Sequence, residues 1–189
     1  MLTEVIFDCE TKALFSEIDS FDPVGLGVSI VSVYTRTVDD EQRELAGTMM
    51  SFWEHELADM WEHFRTADRI IGFNSIKFDV PVLAPYAPAD FARMKHFDIM
   101  QMVRNALGHN LGLNHLAEHN LGTGKTDVGT NAVLYWKKHD EESLAKLKHY
   151  CEADVLLTRN LYDFGVREKK MRYKDKWNTM REFPVDFSL

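Results

Sequence analysis

Three β-rich runs, TEVIFD, LGVSIVSVYT and GTMMSFW, precede the first helical pattern in the chain, and this order restricts the fold more than any other feature. Runs of Val, Ile, Phe and Thr separated by short polar clusters favour neighbouring strands with tight connections. The loop reaching Asp22 and Pro23 and the cluster TVDDEQRE supply those connections, so an antiparallel meander is expected. Strand and helix then alternate. EHELADMWEHFRTA carries Leu57, Met60, Trp61 and Phe64 at steps of three and four, the pattern of an amphipathic helix. RIIGFN returns to strand, and FDVPVLAPYA follows with Pro81 suited to a helix's first turn. Residues 98–121 read as helical in two pieces broken around GHNLG, and residues 122–132 as a Gly- and Thr-rich loop. A long helix with a stripe at Leu144, Leu147, Cys151, Val155 and Thr158 begins at Ser143, a possible N-cap, and ends near Gly165. The expected fold is α/β: a mixed sheet, its first three strands antiparallel and the later ones parallel, flanked by helices. With 189 residues and neither repeat nor linker, one domain over residues 1–189 is expected.

Within that frame, VIFDCETKAL poses a problem. Side chains alternate along a strand, so Asp8 and Glu10 share a face while Cys9 points away. Two carboxylates side by side in a core are costly unless something neutralises them. Either the strand surfaces early, where acids are harmless, or a divalent cation sits between them. Further acids occupy apolar settings: Asp79 in IKFDVPVL, Asp98 in HFDIM and Asp154 in YCEADVLL. Tyr150 precedes Asp154 by one helical turn and stacks on the same face.

Charge divides the chain. The net charge is -8, yet residues 1–64 hold 14 acids against 3 basic residues and residues 65–189 hold 16 against 19. The segment 167–189 is distinctly basic, and in REKKMRYKDKWNTMR the aromatic Tyr173 and Trp177 are interleaved. Such a run is either a solvated surface or a strip for nucleic acid. Two cysteines, Cys9 and Cys151, exclude a four-cysteine zinc site and favour buried thiols. No apolar run approaches a membrane span and the N-terminus lacks a signal-peptide layout, so a cytoplasmic location is expected.

FDCET with Asp8 and Glu10, GFNSIKFDVPVL with Asp79, and YCEADVLL with Tyr150 and Asp154 stand in the order of the three motifs of DEDD exonucleases, and the chain resembles the tyrosine subclass. Gly-Phe-Asn, then Phe-Asp and Pro, is most similar to the proofreading exonuclease domain of family B DNA polymerases. FDIMQMV and GLNHLAEHNLGTGKT resemble the segment between motifs two and three in family A proofreading domains. This resemblance implies an RNase H-like fold and metal-dependent hydrolysis from the 3′ end of single-stranded or frayed DNA, with nucleoside 5′-monophosphates released. RNA 3′ ends are an alternative substrate, and a silent nucleic-acid-binding module is the rival. Asp8, Glu10, Asp79 and Asp154 would hold two divalent cations, Mg²⁺ or Mn²⁺, for which an all-oxygen ligand set is suited. Tyr150 would orient the attacking water, its phenol being too weak a base at neutral pH for more. Thr11, Leu14 and Phe15 would meet the terminal nucleotide, Leu14 or Phe15 as an apolar wedge. Asn74 would hold either substrate or the sheet edge, and Asp98 would support the site or cap the following helix.

Two other patterns fail on inspection. GTGKT lacks the first glycine of a P-loop, since His119 stands five residues before Gly124, and a helix rather than a strand precedes it. His115 and His119 are one turn apart without a third zinc ligand, which makes a solvated helix face the better reading.

Overall fold

The computed structural model describes residues 1–124 and 129–187. The meander is present as β1 (Leu2–Thr11), β2 (Val28–Val38) and β3 (Glu44–Trp53). There follow α1 (Leu57–Arg65), β4 (Arg69–Gly72), α2 (Asp79–Leu83), β5 (His96–Asp98), α3 (Ile99–Leu107) and α4 (Leu113–Leu121). The chain closes with α5 (Gly129–Lys138), α6 (Glu141–Glu168) and a hairpin, β6 (Lys170–Lys174) with β7 (Met180–Pro184). Five strands form one sheet in the order β3-β2-β1-β4-β5. β2 is antiparallel to both neighbours, whereas β1, β4 and β5 are parallel, so the mixed sheet has the expected division.

β1 is the central strand, and Glu4 through Phe7 are buried without interruption. Its alternation feeds two apolar layers. Ile6 packs with Ile99, Val103, Leu116, Val155 and Leu161 on the side of α3, α4 and α6. Val5, Phe7 and Cys9 pack with Met60, Trp61, Phe64 and Phe91 on the other side. Burial of each large side chain contributes roughly 1.5–3 kcal/mol, so the sheet is clamped from both faces.

Helix α6 runs antiparallel to β1. Tyr162 Oη donates to Glu4 at 3.3 Å, and the Cys151 thiol donates to the carbonyl of Asp8 at 3.4 Å. Eleven helical residues rise about 16 Å and four strand residues about 13 Å, so the two elements stay in step. One flank of α6 is polar. Glu152 accepts from Ser51 at 2.8 Å, Arg159 lies over the Tyr34 ring at 4.9 Å, and Asp163 takes a bidentate pair from Arg36 at 2.9 and 2.6 Å. Arg36 also binds Glu4 at 2.9 Å, and both side chains are essentially inaccessible to solvent.

Several expectations are corrected. Asp140, not Ser143, caps α6: its carboxylate accepts from Ser143 N at 2.8 Å, leaving Ser143 inside the first turn. The helix passes Gly165 and ends at Glu168 with Lys169 left-handed. Gly165 is instead a contact point, since a Cβ there would come 2.2 Å from the Phe187 ring. The Gly- and Thr-rich loop of 122–132 is shorter than expected, because α5 begins at Gly129, while residues 125–128 lie outside the described residues. The basic segment 167–189 contains the β6–β7 hairpin, whose Met171 and Phe183 are buried. No helix among the described residues is long and apolar enough to cross a membrane.

Candidate active site

The sheet itself creates the site. Pairing of β1 with β4 ends at Ile6, but β1 continues along β2 as far as Thr11, with a bulge between Glu10 and Thr11. Asp8 and Glu10 therefore project past the end of β4, at the edge where ligands bind in sheets with parallel strands. They are half-buried while the intervening Cys9 is buried, the alternation expected of a strand leaving a core. The strand thus surfaces at Asp8, and its two acids surface onto a third rather than into open solvent.

Asp154 of α6 comes down opposite them. One carboxylate oxygen from each of Asp8, Glu10 and Asp154 lies within 4.8 Å of the other two, and Asp154 is buried. Three like charges at that separation repel strongly unless a cation or protons intervene. An oxygen-only set with no His or Cys suits Mg²⁺ or Mn²⁺.

Asp79 lines the same cleft from the start of α2 but lies outside that group of three. It is buried, and its carboxylate accepts from Cys9 N at 2.9 Å. Burial pushes its pKa up to about 6, against the opposing hydrogen bonds from the Cys9 thiol and backbone, with the charge of Asp98 adding to the rise. Both cysteines are neutral donors at the back of the site. Burial holds the thiols of Cys9 and Cys151 well above their ordinary range, with the charges of Asp79 and Asp8 respectively the next cause.

Tyr150, almost fully buried, packs with Ile30, Leu147 and Cys151 and lines the cleft one turn before Asp154. Across from it the chain turns out of β1. The Thr11 hydroxyl is buried and donates to the carbonyl of Ala13 at 2.9 Å, so Thr11 shapes the turn. Leu14 and Phe15 follow on the rim, the Phe15 ring 6.2 Å edge-on from Phe78. The cleft so enclosed has a volume of about 280 Å³.

Asn74 is placed apart. It takes a left-handed conformation with φ 63°, which Asn tolerates better than most residues, and its side chain lines a neighbouring depression with Asp98 and Arg104. Asp98 does two tasks at once. It caps α3 through Gln101 N at 3.2 Å and receives the amides of Asn74 and Ile76 at 2.9 and 3.1 Å, fixing the turn that delivers Asp79. His115 Nε2 accepts from Lys174 N at 3.2 Å, so this histidine serves the hairpin.

Sequence reasoning missed α5 as a wall of the cleft. Gly129 and Val133 line it, Lys137 pairs with Glu17 beyond Phe15, and Trp136 stacks on Trp53 at 6.3 Å. The apolar positions of AVLYW carried the signal, but the glycines and threonines ahead of them masked where the helix starts.

Comparison with known proteins bears on the fold that carries this cleft. The chain is similar in structure to the family B DNA polymerase from the hyperthermophilic archaeon Pyrobaculum calidifontis, with a TM-score of 0.60 and 20% identity. The likeness covers 88% of this chain and 25% of the polymerase, so the chain spans a quarter of that protein's length. No curated protein matches it in sequence. A family model of the RNase H superfamily matches residues 5–165, from the first strand through Gly165 of α6, and on this evidence the chain belongs to the RNase H superfamily and has its nuclease fold.

Proposed function

We propose that the protein is a 3′-to-5′ exonuclease that hydrolyses phosphodiester bonds at unpaired 3′ ends, DNA before RNA, with two divalent cations. The observation that carries this reading is the approach of Asp8, Glu10 and Asp154 within 4.8 Å at the floor of a cleft whose wall is Tyr150. Asp8, Glu10 and Asp154 would hold the cations, with Asp79 completing the set. Cations bound there supply the Lewis-acid compensation of charge that phosphodiester hydrolysis needs.

The chain's own residues supply the rest. Tyr150 is buried along its ring, so its hydroxyl has a fixed place at the cleft in which to orient the attacking water. The neutral thiol of Cys9 and its amide hold the carboxylate of Asp79 in one position. Leu14 and Phe15 present an apolar rim against which a terminal base is stacked and separated from its partner, which favours frayed ends over matched duplex.

The test is direct. Single-stranded DNA and RNA labelled at the 5′ end are incubated with Mg²⁺, Mn²⁺ or chelator, alongside circular single-stranded DNA. A ladder shortening from the 3′ end, lost with chelator and absent for the circle, is expected. Nicking of the circle, or hydrolysis that persists in chelator, would overturn the proposal.

A further inference from the structure

The proposed chemistry leaves the β6–β7 hairpin unused. Residues 167–189 hold seven basic and four acidic residues, so the positive excess of residues 65–189 lies wholly in this segment. The hairpin is anchored on one side and pinned along its edge. Met171 and Phe183 are buried, while the Asn120 side chain both donates to Arg172 O and accepts from Arg172 N at 2.8 Å.

The connecting turn is equally fixed. The Asp175 carboxylate accepts from Trp177 N at 2.9 Å, Thr179 N at 3.0 Å and Arg181 Nε at 2.9 Å, and these bonds hold it below its ordinary range. On this turn Trp177 is 71% exposed, with Lys176 Nζ 4.5 Å from its ring. A single exposed aromatic side chain is ordinary. This one is distinguished by a braced backbone, an adjacent ammonium and what lies beside it.

Trp177 lines a depression with Tyr173, Lys176 and, from the α3–α4 connection, His109 and Leu111. Asn110, between those two, lines the next depression with Arg104 and Lys77. Phe78 and Asp79, the residues after Lys77, line the catalytic cleft. Three depressions therefore follow one another through chain neighbours, from the indole to the acids. Along the hairpin, Lys170 and Arg172 pair with Glu182 and Arg181 pairs with Asp175, whereas Lys174 and Lys176 stand outside the ion pairs among the described residues. The Arg104 Nε donates to a neutral amide, that of Asn110, at 2.8 Å. A path with cations and flat rings that ends at an acidic centre fits a polyanion with stackable bases.

We propose that the Trp177 turn and the path past Tyr173, His109 and Arg104 bind a single strand of nucleic acid on the 5′ side of the bond to be cut, with a base stacked on Trp177. The identity of this ligand rests on the nuclease reading, but its location does not depend on turnover. The experiment uses the full chain in chelator, where hydrolysis is absent, and measures by anisotropy the binding of 20-nucleotide DNA and RNA single strands. Turnover of a trinucleotide with Mn²⁺ is measured in parallel.

Trp177→Ala should weaken binding of the 20-nucleotide strands about 5- to 150-fold, the range for loss of one base–aromatic stack. Trp177→Phe should recover most of it, and Lys176→Gln should flatten the salt dependence by about 0.7 in log–log slope. Trinucleotide turnover should be unchanged in all three variants, because the substrate is too short to reach the turn. Since Trp177 is exposed, melting temperature should not move. Unchanged affinity in both Trp177→Ala and Lys176→Gln, with wild-type turnover intact, overturns this inference and leaves the nuclease reading standing. Trp177-dependent binding by a wild type that hydrolyses nothing supports this inference and overturns the nuclease reading.

Discussion

Replacing Asp79 by asparagine should stabilise the metal-free protein while abolishing its activity. The native environment lifts this carboxyl from 3.8 to about 6, chiefly by burial. Each pKa unit is worth about 1.4 kcal/mol, so the ionised form is disfavoured in the folded state by on the order of 3 kcal/mol. Below pH 4 the group is protonated in both states and contributes nothing. Between about pH 4 and 6 the unfolded chain has released the proton and the folded one has not, so stability falls as pH rises, and above pH 6 the loss is complete. Asparagine preserves the oxygen that accepts from Cys9 N and has no charge to bury. In chelator, Asp79→Asn should melt at nearly the wild-type temperature at pH 4 and about 6–12 °C higher at pH 7, on the usual scaling for a chain of this size. Thermal unfolding across pH 4–8 measures it. A difference between the two proteins that does not grow over pH 4–6 would refute the account of Asp79.

Other perturbations read different parts of the structure. Asp8→Ala and Asp154→Ala should each lower turnover at least a thousandfold and shrink the rise in melting temperature on adding Mn²⁺, because each removes one of the three converging oxygens. Tyr150→Phe should slow hydrolysis about 100-fold with the Mn²⁺-induced rise intact; loss of both would mean that Tyr150 shapes the site instead of orienting water. Arg36→Ala should cost about 3–5 kcal/mol in urea unfolding, since it strands the buried Glu4. Gly165→Ala should lower the melting temperature and speed proteolysis of the C-terminal segment, because the new methyl group displaces Phe187.

The fold was most legible where one period ran long enough to be seen. The acids of β1 stood out because strand alternation put Asp8 and Glu10 on one face, and α1 because four apolar residues kept helical spacing. β5 escaped because three residues, His96–Asp98, are too few to show a period. The cap of α6 was misplaced because Asp140 and Ser143 are both good caps three residues apart, and only geometry shows which one receives the amide. The hairpin was masked by basic residues, Lys170, Arg172 and Lys174, alternating with Met171 and Tyr173, a strand pattern in a segment dominated by charge. The site's supports were invisible for a different reason. Cys9 with Asp79, Cys151 with Asp8 and Asp98 with Asn74 are contacts between distant parts of the chain, and a single sequence does not report them.

The polar flank of α6 has a bearing on how firmly the clustered acids are indexed. An apolar stripe resists separation of helix and sheet but offers little resistance to sliding, since one methyl contact replaces another. The bonds of Glu152 to Ser51 and of Asp163 to Arg36 are directional and lie at either side of Asp154 along the helix axis. Sliding by a single residue, about 1.5 Å, would stretch and misalign both at once. Axial displacement of α6 is therefore stiffer than its apolar stripe alone would make it, and the gap between Asp154 on the helix and the pair Asp8 and Glu10 on the strand should vary little along the helix axis.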